Sequence, residues 1–183
     1  MTPAPSQSPR PGLETIRRFA PPPAGVFVDL SDSANVWGAA PAAVASIAAN
    51  AGEAWRSPSL YGEPLRLALA YGLSPAHIVT GNGSTEVLRV IDDAPGLVIP
   101  DEEYADDAGE TLVAEAAVRS NLLVVRTFSK SYGLASLRVG YGVAHPDIVL
   151  ALERVRGPYA VSRVAECAAV AAVEAARSVE AVP

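Results

Sequence analysis

Apolar and polar residues keep two rhythms along the chain, and the change comes near residue 77. Ahead of it the spacing is helical. Pro41 opens "PAAVASIAAN", an apolar run with proline in the first turn, where a helix tolerates it. "YGEPLRLALAYG" (61–72) has the same plan: Pro64 near the start, Leu65, Ala68 and Leu69 at helical spacing, and Gly72 as the stop. Beyond residue 77, short apolar runs alternate with helical stretches. "HIVTGNGSTEVLRVI" (77–91) predicts strand, glycine turn and helix, and "GLVIPDEEY" (96–104) a buried strand ending in acids. "ETLVAEAAV" (110–118) is helical, "NLLVVRTF" (121–128) and "LRVGYGVA" (137–144) are strands, and 146–156 and 162–179 are helices. This alternation predicts an α/β fold in three layers, a mostly parallel sheet with helices on both faces. Residues 1–25, with the spacer "APPPAG", are expected to form an extended arm ahead of one domain over 26–183. That domain opens on a strand "VFVDL" (26–30) and a polar loop "SDSANVWG" (31–38).

Composition narrows the picture. Half of the 183 residues are hydrophobic, which favours one domain with a core over disorder. The net charge is -6 and the arginines stand singly apart from Arg17 and Arg18, which argues against a nucleic-acid partner gripped through its phosphates. Cys167 has no partner for an internal disulfide and sits in an alanine-rich run, so a buried, reduced thiol is expected. No uninterrupted apolar run reaches the roughly 18 residues of a membrane span. The opening "MTPAPSQSPRPG" lacks an apolar signal-peptide core, which makes the cytoplasm the expected compartment.

The basic residues carry the sharpest signal. Of 14 lysines and arginines, Lys130 alone is lysine. Compositional drift toward arginine is one explanation, and a role in chemistry is the other. In sheets of this kind, ligands sit beyond the carboxyl ends of the strands. "GNGST", "DEEY" and "TFSK" each follow a strand, which puts three polar clusters on one edge. Gly81 and Gly83 allow backbone to approach a ligand, and N–H groups near Ser84 and Thr85 suit an anion, most naturally a phosphate. The ordinary alternative is a strand-to-helix turn capped by Ser84. Asp101 is either a surface acid or the partner of a buried cationic nitrogen, with the Tyr104 hydroxyl beside the same ligand. Lysine is the side chain that forms Schiff bases with carbonyls. Thr127 and Ser129 place hydroxyls close by, and Arg138 is able to clamp a phosphate or to make a surface ion pair. Tyr132 and Tyr141 have core or interface positions as their ordinary reading.

"RTFSKSYGLASLRVGY" resembles the cofactor-lysine segment of fold-type I pyridoxal-phosphate aminotransferases, class I/II, and above all the histidinol-phosphate aminotransferase branch. "DEEY" is similar to that family's Asp-Glu-Ala-Tyr, "GNGSTE" to its Gly-Ser-Asp-Glu phosphate turn, and "YGEP" to its tyrosine-bearing segment. "GPYAVSRVAE" is similar to its Pro-Tyr-Asn-Val-Ser helix start, with Ala160 where asparagine is usual. The resemblance implies pyridoxal 5'-phosphate as cofactor, held by Lys130 through a Schiff base. It implies that Asp101 pairs with the pyridine nitrogen and Tyr104 with the ring oxygen. Ser84, Thr85, Thr127, Ser129 and Arg138 would hold the phosphate. Tyr61 would reach the phosphate of a neighbouring subunit, which implies a homodimer. Asn35 and Gly38 match the substrate-side loop, although Ser33, Ala34 and Val36 depart from its usual wording.

The activity implied is transfer of an amino group between an amino acid or amino phosphate and a 2-oxo acid, as in amino-acid biosynthesis. Alternatives are an amino-acid decarboxylase of the same fold and a non-catalytic shortened paralogue. The last arises because the family carries a long segment between the phosphate turn and the acid-bearing strand. Here only residues 85–100 separate Ser84 from Asp101, and Pro183 falls before most of the expected small C-terminal domain.

Overall fold

A computed structural model describes residues 35–70, 72–90, 96–104 and 109–180, all within the compact unit Ala34–Pro183. The expected arm, the strand at 26–30 and most of the loop at 31–38 lie outside the described residues.

Six helices and three strands are used below. They are α1 (Pro41–Asn50), α2 (Glu63–Leu69), β1 (Ile78–Gly81), α3 (Ser84–Arg89), α4 (Val113–Val118), β2 (Leu123–Thr127), β3 (Gly140–Ala144), α5 (Pro146–Val155) and α6 (Arg163–Glu180). Proline stands in the first turn of α1, α2 and α5, where its missing N–H costs nothing. α6 buries Ala165, Ala168, Ala169, Ala172 and Val173, an apolar stripe at helical spacing. These small side chains let α1, with its buried Ala43, lie close against it.

The sheet order is β1-β3-β2, with β3 antiparallel to both neighbours. β1 and β2 therefore run the same way. A fourth segment continues the sheet beyond β2 in that direction, through parallel bridges Val98↔Leu122 and Asp101↔Val125. Its bonds are Val98 N to Asn121 O, Leu123 N to Val98 O, Val125 N to Pro100 O and Glu102 N to Val125 O. Three of the four strand segments are thus parallel, as the alternating pattern predicts. The segment at 96–104 is not the buried strand expected: Val98 is half exposed, because among the described residues no strand lies outside it. The strand expected at 137–144 starts only at Gly140, since Arg138 leaves the extended region at φ 53°.

Alternation along the strands sorts the core into two faces. Ile78, Tyr141 and Val143 join Ala43, Leu65, Phe128 and the α6 stripe on one side. Val79, Leu123, Val125 and Ala144 meet Val87, Val149 and Leu152 of α3 and α5 on the other. Val124 and Leu122 complete a small cluster with Ala116 of α4. Helices cover both faces, giving the expected three layers. Tyr141 lies in the core, and Tyr132 packs on Phe128 with ring centroids 4.7 Å apart. No helix among the described residues is long and apolar enough to cross a membrane.

Candidate active site

The antiparallel run of β3 settles where the chemistry gathers. β1, β2 and the edge segment end at Gly81, Thr127 and Asp101, and β3 begins at Gly140 on the same sheet edge, opposite both Gly81 and Thr127. Arg138, just ahead of β3, is thereby delivered to the strand ends that carry "GNGST", "TFSK" and "DEEY".

The Gly81–Thr85 turn is built for close approach. Gly83 is the N-cap of α3 at φ 75°, and a Cβ there would fall on the Arg138 guanidinium. A Cβ on Gly140 would fall on Ser84 N. Ser84 is the first helical residue, so the alternative reading of it as the helix cap does not hold, and Gly83 takes that position. Glu86 reaches back instead, accepting from Asn82 N. The result presses Arg138 against the turn whose N–H groups open α3.

On the other side, Thr127 organises Ser129. Thr127 Oγ1 accepts from Ser129 N at 3.1 Å and lies 2.9 Å from Ser129 Oγ, to which it donates. Arg138 Nη1 donates to the same Ser129 oxygen at 3.4 Å and to Ala135 O at 3.1 Å. With two donors on its oxygen, the Ser129 hydroxyl hydrogen is left to donate to an outside acceptor. Thr127 is buried, and its hydroxyl is spent on Ser129. Guanidinium, hydroxyl and helix-start N–H groups form a donor set suited to a phosphate.

Lys130 follows directly. Its Nζ lies 5.5 Å from the centroid of the Tyr104 ring and 4.0 Å from Glu103 Oε2. Asp101 is exposed at the edge. Partial burial, then the neighbouring Glu103 carboxylate, push its carboxyl above the ordinary 3.8, against a hydrogen bond from the Glu103 backbone and the charge of Lys130. A carboxyl in that position gains most from a cationic partner.

Asn35 Nδ2 donates to Ser131 O at 3.0 Å, and a Cβ on Gly133 would strike the Gly38 carbonyl. The loop at 35–38 is thus latched onto the turn after Lys130. Tyr61 stands apart, its ring centroid 5.7 Å from the buried Arg156 guanidinium. Tyr61 and Arg138 share one property: they are the two non-glycine residues with positive φ among those described, at 52° and 53°. Such backbone costs on the order of 1–3 kcal/mol and persists where surroundings enforce it, often at functional sites. Thr80 Oγ1 holds the Tyr61 carbonyl at 3.0 Å.

Sequence reasoning passed over Glu103, Gly140 and Arg156. Glu103 had a visible signal, since it replaces the alanine of the family's Asp-Glu-Ala-Tyr. Gly140 and Arg156 act through contacts that only the fold creates.

The family model described as aminotransferase class I and II matches residues 77–181. Aromatic amino acid aminotransferase of Mycobacterium avium (strain 104) is 44% identical over 95 residues, 49% of this chain and 27% of that protein. Histidinol-phosphate aminotransferase of Synechococcus elongatus is 49% identical over 79 residues, 43% of this chain and 21% of that protein. The chain thus spans about a quarter of the length of the curated relatives it matches. Among solved structures, histidinol-phosphate aminotransferase from Sinorhizobium meliloti in complex with pyridoxal-5'-phosphate superposes with a TM-score of 0.71 at 19% identity, over 81% of this chain and 64% of that one. L-threonine-O-3-phosphate decarboxylase from Porphyromonas gingivalis gives 0.65 at 19% identity, over 78% and 67%. At such identities the superpositions speak for the fold, which is that of these α/β enzymes. The sequence match runs from the residue before β1 to the end of α6, over more than half the chain and every strand-end cluster of the candidate site, and on it the chain belongs to the class I and II aminotransferase family.

Proposed function

We propose that this chain binds pyridoxal 5'-phosphate at Lys130 and moves an amino group between an amino acid or amino phosphate and a 2-oxo acid. The observation that carries it is the convergence on one sheet edge of the lone lysine, an acid and a phosphate-type donor set. Bound there, the cofactor supplies an aldehyde for covalent attachment and an electron-withdrawing ring for proton loss at the substrate's Cα.

The chain's own residues take the following parts. Arg138 and Ser129 donate to the phosphate, with the N–H groups of Ser84 and Thr85 completing the cradle. Thr127 acts one step back, by aiming Ser129. Asp101 pairs with the pyridine nitrogen, and Tyr104 donates its hydroxyl to the ring oxygen. Lys130 Nζ would hold the cofactor's aldehyde carbon and would take a proton from the substrate's Cα and return it, as general base and acid. Asn35 and Gly38, latched to the turn after Lys130, border the substrate side. Tyr61 reaches the phosphate of a second copy, so a homodimer is the working assembly.

The likeness to a decarboxylase of the same fold keeps a second reading open, in which the substrate is turned so that its carboxylate leaves. A yellow species on adding pyridoxal phosphate, fixed by borohydride and absent in Lys130→Ala, is the expected result. Incubation with a panel of amino acids then separates amino transfer from carbon dioxide release. An adduct that survives Lys130→Ala sinks the assignment of the lysine.

A further inference from the structure

The geometry points to a second binding site, for a small organic cation such as a primary ammonium, in a cleft walled by α1, the start of α2 and α6. The cleft has a volume of about 350 Å³, far more than a single ordered water requires. Ser46, Ser59, Arg163, Glu166, Cys167 and Glu174 line it, with Val170 among its apolar contacts. No residue of the Lys130 cluster takes part.

Glu166 is the reason to assign a ligand. It is 2% exposed, yet only one of its two oxygens is engaged: Oε2 accepts from Ser59 Oγ at 3.0 Å, and Oε1 has no hydrogen-bond partner. A buried acceptor left unpaired is uncommon in a folded protein and asks for a donor. The charges around it choose the donor's sign. Glu166 and Glu174 bring two carboxylates to the cleft. Arg163 is the one basic lining residue; its charge acts on Glu166, and its Nε, also without a hydrogen-bond partner, lies 4.0 Å from a further carboxylate, Glu53 Oε2. Acids outnumber bases, so an anion is repelled and a cation drawn in. An ammonium has three N–H groups, enough to reach Glu166 and a serine hydroxyl while its alkyl stem lies along Val170. The same carboxylate has no role in the chemistry proposed at Lys130.

Cys167, the one cysteine of the chain, is half buried on the wall of the same cleft and reports its occupancy. The test titrates cofactor-free protein with butylammonium and, as a matched anion, butanoate. Binding is followed by calorimetry, and the rate of Cys167 alkylation by iodoacetamide is followed in parallel. Butylammonium should bind saturably at submillimolar to millimolar concentration and slow alkylation at least fivefold, while butanoate does neither. Glu166→Gln keeps the shape and the Ser59 contact and should weaken binding at least tenfold. Ser59→Ala, a milder change, should weaken it less, and Lys130→Ala should leave it unchanged. Absence of saturable binding, equal binding of butanoate, binding without protection of Cys167, or full affinity in Glu166→Gln overturns the site. Because the cofactor is absent throughout, none of these results depends on the function proposed at Lys130.

Discussion

Replacing Glu103 by glutamine removes the carboxylate 4.0 Å from Lys130 Nζ and leaves a side chain of the same shape. Lys130 Nζ must leave this carboxylate to reach an aldehyde, and the attraction within the pair opposes that movement. At 4.0 Å, two unit charges attract by about 1 kcal/mol in a water-like medium and by about 4 kcal/mol at the effective dielectric of a protein surface. The Glu103 side chain is 36% exposed and that of Lys130 16%, so solvent screens the pair. The larger figure is therefore a ceiling, and the ~0.2–1 kcal/mol measured for exposed pairs is the better guide. Glu103→Gln should thus speed formation of the reducible pyridoxal phosphate adduct, followed by absorbance in low salt, by about two- to fivefold. In 1 M salt, where the screening length is about 3 Å, wild type and variant should converge. The substitution also removes one of the two influences that raise the Asp101 carboxyl, so the adduct should persist to lower pH. A slower adduct in Glu103→Gln, or a rate difference unmoved by salt, would refute the claim that this carboxylate restrains the lysine.

Three further outcomes follow from the same geometry. Arg138→Ala removes a charged donor from the phosphate cradle and should weaken pyridoxal phosphate about 10- to 100-fold, while pyridoxal, which lacks the phosphate, binds both proteins alike in an equilibrium titration. Gly83→Ala, at φ 75° and against the Arg138 guanidinium, should cost pyridoxal phosphate affinity about tenfold and overall stability about 1 kcal/mol, read by titration and by thermal unfolding. For Glu166, burial pushes the carboxyl above its ordinary 4.5, with Ser59 and then Arg163 pulling the other way. The folded state therefore holds the proton more tightly than the unfolded chain, and stability falls as pH rises from 4.5 through the folded value. Glu166→Gln cannot ionise, so it should match wild type near pH 4 and unfold about 2–4 °C higher at pH 7, for a relief of about 1 kcal/mol.

Much of this is legible in the residues alone. Helices α1 and α2 announce themselves by apolar spacing and by proline at the start, α6 by apolar spacing alone, and β2 by a run of β-branched residues. Local chemistry explains why: these elements bury one stripe or two full faces, and the stripe is written in consecutive residues. The uniformly apolar "GLVIP" predicts a buried strand where the edge segment lies. Burial of an edge depends on what lies outside it, and no local pattern carries that. The thiol of Cys167 misleads in the same way: its alanine neighbours face the core, while Cys167 itself lines an open cleft. The alternative role of Ser84 as a cap fails for a similar reason: Ser84 is the first helical residue, and the cap is Gly83 at φ 75°, where a Cβ would meet the Arg138 guanidinium.

The same contrast runs through the site itself. Which residues matter could be read from the strand-end rule, since each cluster directly follows an apolar run. How they meet could not, because it depends on the direction of β3. Had β3 run parallel to β1 and β2, Arg138 would have preceded its amino end at the opposite edge, a strand's length from Ser129 and the glycine turn. Insertion of one antiparallel strand between two parallel ones turns a residue that precedes a strand into a neighbour of residues that follow strands. The left-handed backbone of Arg138 is the local consequence, for the chain must turn sharply after Leu137 to enter β3 with the guanidinium still on Ser129. An Arg138→Gly variant separates the two contributions: it relaxes the backbone and deletes the donor. If thermal stability rises while pyridoxal phosphate affinity falls, the strain is held in place by the site. If stability falls too, the guanidinium's bonds to Ser129 and Ala135 are part of what folds the edge, and the strain is a by-product of folding.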